Sequence, residues 1–204
     1  EEPFDVLVIG GGINGAVSGA ALASKGAKVA LVELGDFASG TSQESSNLAW
    51  GGIKYLESYE FSLVAKLCSS RNQLLRSYPS TVQEIRFLTS VPKGFRHNPL
   101  SLQAGTWLYW LMGRCFTQAP RTLSRARLAR DVPVVNGDEV AGLVEYSDAY
   151  LYDNDARFVF GFIRTALDRG CAAANYVEAL DSTWHDNGWT TRMRDDVTGD
   201  EFAV

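Results

Sequence analysis

Six residues near the start of the chain, Gly10-Gly11-Gly12-Ile13-Asn14-Gly15, have the types and spacing to hold phosphate. They follow a short apolar run, Phe4 to Ile9, that reads as a buried parallel strand. Small residues from Ala16 to Ala23 come next and read as a helix, and Lys28 to Val32 reads as a second strand ending in Glu33. In this register Gly10 permits a tight turn, and Gly12 lets backbone approach a pyrophosphate. Gly15 and Gly19 let the helix lie close on the sheet. The helix N-terminus offers free N–H groups and a positive dipole end to the phosphates. Glu33 can accept hydrogen bonds from a ribose diol, and its charge disfavours a 2′-phosphate. The chemistry expected here is dinucleotide binding.

The following segment narrows the cofactor. Gly35 to Ser42 leads into Ser45-Ser46-Asn47-Leu48-Ala49-Trp50-Gly51-Gly52-Ile53-Lys54-Tyr55-Leu56-Glu57. A nicotinamide-binding unit would pass from the second strand to another helix and strand. A loop rich in Gly, Ser and Thr stands there instead, supplying hydroxyls and backbone N–H groups to a ligand. On these words the chain resembles the FAD-dependent glycerol-3-phosphate dehydrogenases, within the wider family that includes D-amino-acid and sarcosine oxidases. The words are Gly10–Gly15, Asp36-Phe37-Ala38-Ser39-Gly40-Thr41-Ser42 and Gly51-Gly52-Ile53-Lys54-Tyr55-Leu56-Glu57. Weaker matches continue through Glu145-Tyr146-Ser147-Asp148 and Asp155-Ala156-Arg157.

The resemblance implies FAD, with Glu33 on the adenosine ribose and Gly10, Gly12, Ile13, Asn14 and Gly15 at the pyrophosphate. It implies that Thr41, Ser42, Ser45 and Ser46 line the cofactor, and that Asn47, Trp50, Gly51 and Gly52 lie close to the flavin ring. The family oxidises the secondary alcohol of glycerol 3-phosphate to dihydroxyacetone phosphate, passing electrons to a quinone or to oxygen. It usually has Lys, His and Arg where this chain has Asn47, Trp50 and Lys54. A His beside a flavin can exchange protons and a Trp cannot. Lys54 keeps the positive charge expected to grip a substrate phosphate but lacks the bidentate fork of Arg. Alternatives of the same fold are an amine or amino-acid oxidase and a non-catalytic FAD-binding protein. The main catalytic acid–base groups are expected beyond Val204, since the family's proteins are longer. The chain then reads as an N-terminal portion, inactive alone.

Composition agrees with a globular chain: 46% of residues are hydrophobic and 21% charged, so a core can form. Residues 1–130 carry 14 basic and 9 acidic groups, whereas residues 131–204 carry 5 and 15. This balance argues against a nucleic-acid partner. Cys68, Cys115 and Cys171 include no C-x-x-C and read as reduced structural thiols. With only His97 and His185 there is little to build a metal site or a Ser-His-Asp triad. No signal peptide is visible, so the chain reads as cytoplasmic. Thr106 to Met112 is too short to span a bilayer. Arg114, Arg121, Arg125, Arg127 and Arg130 follow it, with no acid between 114 and 130. Two readings are open: an aromatic face lying on the inner face of the cytoplasmic membrane, or a core helix with a solvated basic loop, of which the second is preferred.

Helices are expected over about 61–78, 101–115, 122–130 and 154–169, the last capped by Asp153 or Asn154 and ended by Gly170. Strands are expected over 84–91, 140–146, 171–174, 177–185 and 188–195, the last two joined by Asp186-Asn187-Gly188. The fold class is α/β: a Rossmann-like FAD-binding domain, parallel sheet with helices, carrying a partial inserted α+β substrate-cap domain. Residues 1–78 and 153–204 are assigned to the first and residues 79–152 to the second.

Overall fold

The computed structural model describes residues 3–94, 98–123, 127, 130, 133 and 140–204. In chain order its elements are β1 (Val6–Ile9), α1 (Ile13–Ala23), β2 (Val29–Glu33), β3 (Leu48–Ala49), a 3₁₀ turn (Ile53–Leu56), α2 (Phe61–Ser77), β4 (Val82–Pro92) and α3 (Pro99–Met112). There follow β5 (Arg121–Leu123), β6 (Val140–Leu151), α4 (Asp155–Asp168), β7 (Ala172–Asn175), β8 (Val177–His185), β9 (Gly188–Asp195) and β10 (Glu201–Ala203). The chain divides into two compact units, Glu1–Asn47 with Asp153–Val204, and Leu48–Tyr152. Residues 48–78, assigned above to the first domain, pack in the second unit, because the 3₁₀ turn and α2 bury their apolar side chains with Tyr109 and Tyr146.

In the first unit β1, β2 and β7 form a parallel sheet in that order. α1 is built from small residues, and Ala16, Ala20 and Ala23 share a core with Val159, Ile163 and Ala166 of α4. A Cβ on Gly19 would lie 3.1 Å from Leu31, so the glycine sets how closely α1 approaches β2. Asn154 caps α4 by accepting from the Ala156 N–H at 2.7 Å. β7 lies at the edge of this sheet, where a strand was expected over 171–174; its residues are exposed or half-buried, and Cys171 just before it is buried. β8, β9 and β10 form a separate antiparallel sheet. Asp186 and Asn187 both have positive φ, 44° and 70°, as the two-residue hairpin turn between β8 and β9 requires.

In the second unit β6 pairs antiparallel with β4 along its length and with β3 and β5 on its other side. Both long strands exceed their expected lengths, since each supplies the other's hydrogen bonds; Pro92 is still paired, at a register shift opposite Val140. The helix expected near 122–130 falls largely outside the described residues, as does His97, and Thr122 and Leu123 are strand. α3 starts at Pro99 behind an Asn98 cap that accepts from the Ser101 N–H at 2.7 Å. Within this chain it buries Thr106 and Tyr109, while Trp107, Leu108 and Leu111 are exposed. Of the three free thiols, Cys115 is exposed rather than structural.

Candidate functional site

The first site is a cleft of about 440 Å³ in the first unit, walled by the β1–α1 turn, Glu33 and the loop after β2. It brings together Gly10, Gly12, Ile13, Asn14, Gly15, Glu33, Thr41 and Ser42. Ala38, Ser39 and Gly40 join them, and sequence reasoning left these three unassigned although they stand inside the Asp36–Ser42 word. Ser45 and Ser46 are not among its walls.

The glycines divide into two groups by what a side chain would meet. A Cβ on Gly15 would lie 1.8 Å from the Gly10 carbonyl oxygen, so the protein itself forbids one there. A Cβ on Gly12 would find no protein atom within 4 Å. Nothing in the fold needs Gly12 to be glycine, and a side chain there would occupy the space in front of the first turn of α1. The N–H groups of Ile13, Asn14 and Gly15 in that turn have no acceptor within the helix, and Gly12 brings no side-chain cap. A cleft floored by such donors, with an open glycine at its edge and hydroxyls of Ser39, Thr41 and Ser42 on its wall, suits a phosphate-bearing ligand. Glu33 ties the cleft together: its carboxylate accepts from the Gly11 N–H at 2.6 Å and from the Gly35 N–H at 3.0 Å. Each oxygen keeps a lone pair for a ligand hydroxyl.

Asn47 has structural work in the same unit. Its side-chain carbonyl accepts from the Asp155 N–H at 2.8 Å, and its own N–H donates to Ser45 Oγ at 3.0 Å. It thus helps terminate α4 while holding a positive φ of 58°. A Lys at this position could not accept that bond.

Trp50, Gly51, Gly52 and Lys54 belong to the second unit. Gly51 is held from beneath by a buried polar cluster. Its N–H donates to Asp148 Oδ1 at 3.0 Å, and its carbonyl accepts from the Cys68 thiol at 3.6 Å. Tyr109 donates to Asp148, with its hydroxyl 3.0 Å from both carboxylate oxygens. Arg71 Nη1 lies 3.2 Å from Asp148 and 2.9 Å from the Tyr109 hydroxyl, and its remaining nitrogens bond Asn72 Oδ1. Asp148 is completely buried and Arg71 nearly so, and burial pushes the Asp148 carboxyl above its ordinary value although Arg71, Gly51 and Tyr109 pull the other way. None of Arg71, Tyr109 or Asp148 was singled out from the sequence, beyond the Glu145–Asp148 word.

Gly52 turns the chain with a φ of 82° into the 3₁₀ turn, which delivers Lys54 to the wall of a cavity of about 520 Å³. That wall is part apolar, with Ile53, Leu56, Leu102 and Val144, and part hydroxylic, with Tyr59, Thr89, Ser101 and Thr106. Trp50 is neither core nor a wall of this cavity. It is exposed and packs on Tyr55 with ring centroids 5.6 Å apart. His185 is exposed in the β8–β9 hairpin, and among the described residues no group of His, Cys, Asp and Glu could hold a metal ion. Among them, too, no helix is long and apolar enough to cross a membrane.

The chain is 35% identical, over 98% of its length and 39% of the relative's, to D-erythritol 1-phosphate dehydrogenase of Brucella abortus. It is 39% identical, over 83% of its length and 29% of the relative's, to glycerol-3-phosphate dehydrogenase of Mycobacterium leprae. It thus spans less than half the length of these relatives. Its fold matches that of the Bacillus halodurans glycerol-3-phosphate dehydrogenase complexed with FAD, with a TM-score of 0.68 at 21% identity, over all of this chain and 33% of that one. The FAD-bound L-α-glycerophosphate oxidase of Mycoplasma pneumoniae matches with a TM-score of 0.69 at 22% identity, over 95% of this chain and 50% of that one. Residues 5–203 match the profile of the FAD dependent oxidoreductases, and the chain belongs to that family, whose cofactor is FAD.

Proposed function

We propose that this chain is part of an oxidoreductase that removes two electrons from the secondary alcohol of a small polyol phosphate, with glycerol 3-phosphate and D-erythritol 1-phosphate the first candidates. The observation that carries this reading is the shared chemistry of the two relatives above, both named for a polyol monophosphate. FAD, when bound, supplies the two-electron acceptor, and the electrons pass on to a quinone or another acceptor. The chain's own residues bind and orient. The first turn of α1 holds the pyrophosphate and Glu33 the ribose, with Thr41 and Ser42 beside them. Lys54 supplies positive charge to the substrate phosphate, since leaving a dianion unpaired is costly. The hydroxyls of Thr89, Ser101 and Thr106 on the same cavity suit a ligand with several hydroxyl groups.

The test is turnover of both polyol phosphates with an artificial electron acceptor, beside a panel of amino acids, by the flavin-loaded whole enzyme of which this chain is proposed to be part. Lys54→Ala should raise KM strongly for the polyol phosphate with little effect on kcat. Lys54→Arg should keep activity or improve it, by restoring the two-pronged contact. Turnover of amino acids alone, or a Lys54→Ala variant that behaves like the parent, would defeat the reading.

A further inference from the structure

Three segments of the second unit each carry a member of the buried polar cluster and, close by, a wall residue of the cavity that Lys54 lines. On α3, Thr106 stands in the wall and Tyr109 follows one turn later on the same face of the helix. On β6, Tyr146 stands in the wall and Asp148 follows two residues on, on the same face of the strand. Tyr109 and Tyr146 meet edge to face, with ring centroids 6.1 Å apart. At the head of the 3₁₀ turn, Gly51 comes shortly before Lys54. Both polar backbone groups of Gly51 are engaged, the N–H by Asp148 at 3.0 Å and the carbonyl by Cys68 at 3.6 Å. Ile53 and Leu56, on either side of Lys54, pack on the core of Val64, Cys68 and Tyr109. Lys54 itself is exposed, and among the described residues nothing pairs with its ammonium. The backbone beneath it is what places its charge.

Stability alone does not account for the cluster. Desolvating an Arg–Asp pair costs about as much as its attraction returns, and packed apolar side chains serve a core as well. What Asp148 supplies and an apolar residue cannot is a fixed acceptor for the Gly51 N–H, itself held by Tyr109 and Arg71. We propose that Asp148, Tyr109 and Arg71 are positioning residues for substrate binding. By pinning Gly51 they fix Lys54 relative to the hydroxyl-bearing wall on α3, so that the phosphate and the hydroxyls of one polyol phosphate are met together. The inference rests on the reading of Lys54 as the phosphate contact. Lys has a long flexible stem, so a loose backbone beneath it would spread its charge over a wide volume, and the ligand would have to gather it at a cost in entropy.

Tyr109→Phe in the flavin-loaded whole enzyme tests this, since it removes the hydroxyl that backs Gly51 and donates to Asp148 while keeping the ring. KM for the polyol phosphate should rise about fivefold or more with kcat within about twofold of the parent, and inorganic phosphate should become a correspondingly weaker competitive inhibitor. Cys68→Ala, which frees the Gly51 carbonyl, should act in the same direction, and it carries the test alone if Tyr109→Phe yields no flavin-loaded protein. The decisive readout is the Lys54→Ala background. There either substitution should change KM by less than about twofold, because the charge it displaces is gone. A cluster that only stabilised the fold would lower the folded fraction, and with it the apparent kcat, and leave KM unmoved. An unchanged KM in the single variants, or a rise that persists in full without Lys54, would overturn the inference while leaving the substrate reading intact. If Lys54→Ala itself behaved like the parent, the reading of Lys54 would fall and this inference with it.

Discussion

Gly51→Ala probes how tightly the second unit is assembled beneath the Trp50–Lys54 segment. An added Cβ would lie 2.0 Å from the Tyr109 hydroxyl, 2.9 Å from its ring carbon and 3.0 Å from Arg71 Nη1. Gly51 does not have a positive φ, so backbone strain contributes nothing and the cost is steric. Tyr109 cannot swing away freely, because it is buried among Val64, Cys68 and Tyr146 and its hydroxyl bonds Asp148 and Arg71. Relieving the overlap costs the usual overpacking of about 1–3 kcal/mol. It also weakens a buried bond to a charged group, worth about 1.5–3 kcal/mol. A total of about 3–5 kcal/mol is expected, measured as a fall in the urea midpoint with unchanged slope. Tyr109→Phe removes the atom in the way. Alone it should cost about 1–3 kcal/mol, since Asp148 loses a donor. Combined with Gly51→Ala it should cost less than the sum, with a coupling energy of at least about 1 kcal/mol. Amide exchange in β6, which carries Asp148, should follow the same order. A stable Gly51→Ala variant, or strictly additive costs, would refute the picture of a filled cluster pinning this loop.

Gly12→Val should abolish FAD binding, read as loss of flavin absorbance after purification, while circular dichroism stays that of the parent, because its side chain meets ligand space and no protein atom; full flavin occupancy would show that the phosphate lies elsewhere. Asn47→Ala removes the acceptor of the Asp155 N–H and should cost about 0.5–2 kcal/mol, the range for a lost helix cap, with faster amide exchange confined to the first turn of α4. Burial alone would raise the Glu145 carboxyl, but its bonds from Arg121 and Arg86 prevail and hold it below the usual carboxylate range. A depressed carboxyl stabilises the fold above its unfolded value of about 4.3 and loses that contribution as pH falls through the lower folded value. Glu145→Gln should therefore flatten the loss of stability over that acid range in pH-dependent urea unfolding, and a slope equal to the parent's would remove Glu145 from the account.

Much of the first unit was written in short words. Strand, glycines, helix and terminal acid follow one another within the first 33 residues, and the need for glycine at Gly15 is set by Gly10, close in sequence. The Asp-Asn-Gly hairpin and the Asn154 cap were legible for the same reason: positive φ and cap geometry are properties of two or three adjacent residues. The second unit was less legible. Tyr109 and Asp148 lie 39 residues apart, and Gly51 and Asp148 lie 97 apart, and no local pattern announces which buried carboxylate will meet which N–H. The same limit applies to α3. Its periodic aromatic and aliphatic residues are compatible with a core or with a surface, because periodicity names a face without naming what covers it. Asn47 adds a role the sequence did not show: the resemblance suggested a place near the flavin, and the tertiary structure also puts its side chain on the first turn of a helix that starts 108 residues later. The sequence by itself determined the glycine turn at the head of α1 and the α/β frame, which rest on local conformational rules. Only the tertiary structure decided what anchors the Gly51 loop, where Lys54 is delivered and which helix face is left uncovered, since burial and partnership depend on residues distant along the chain.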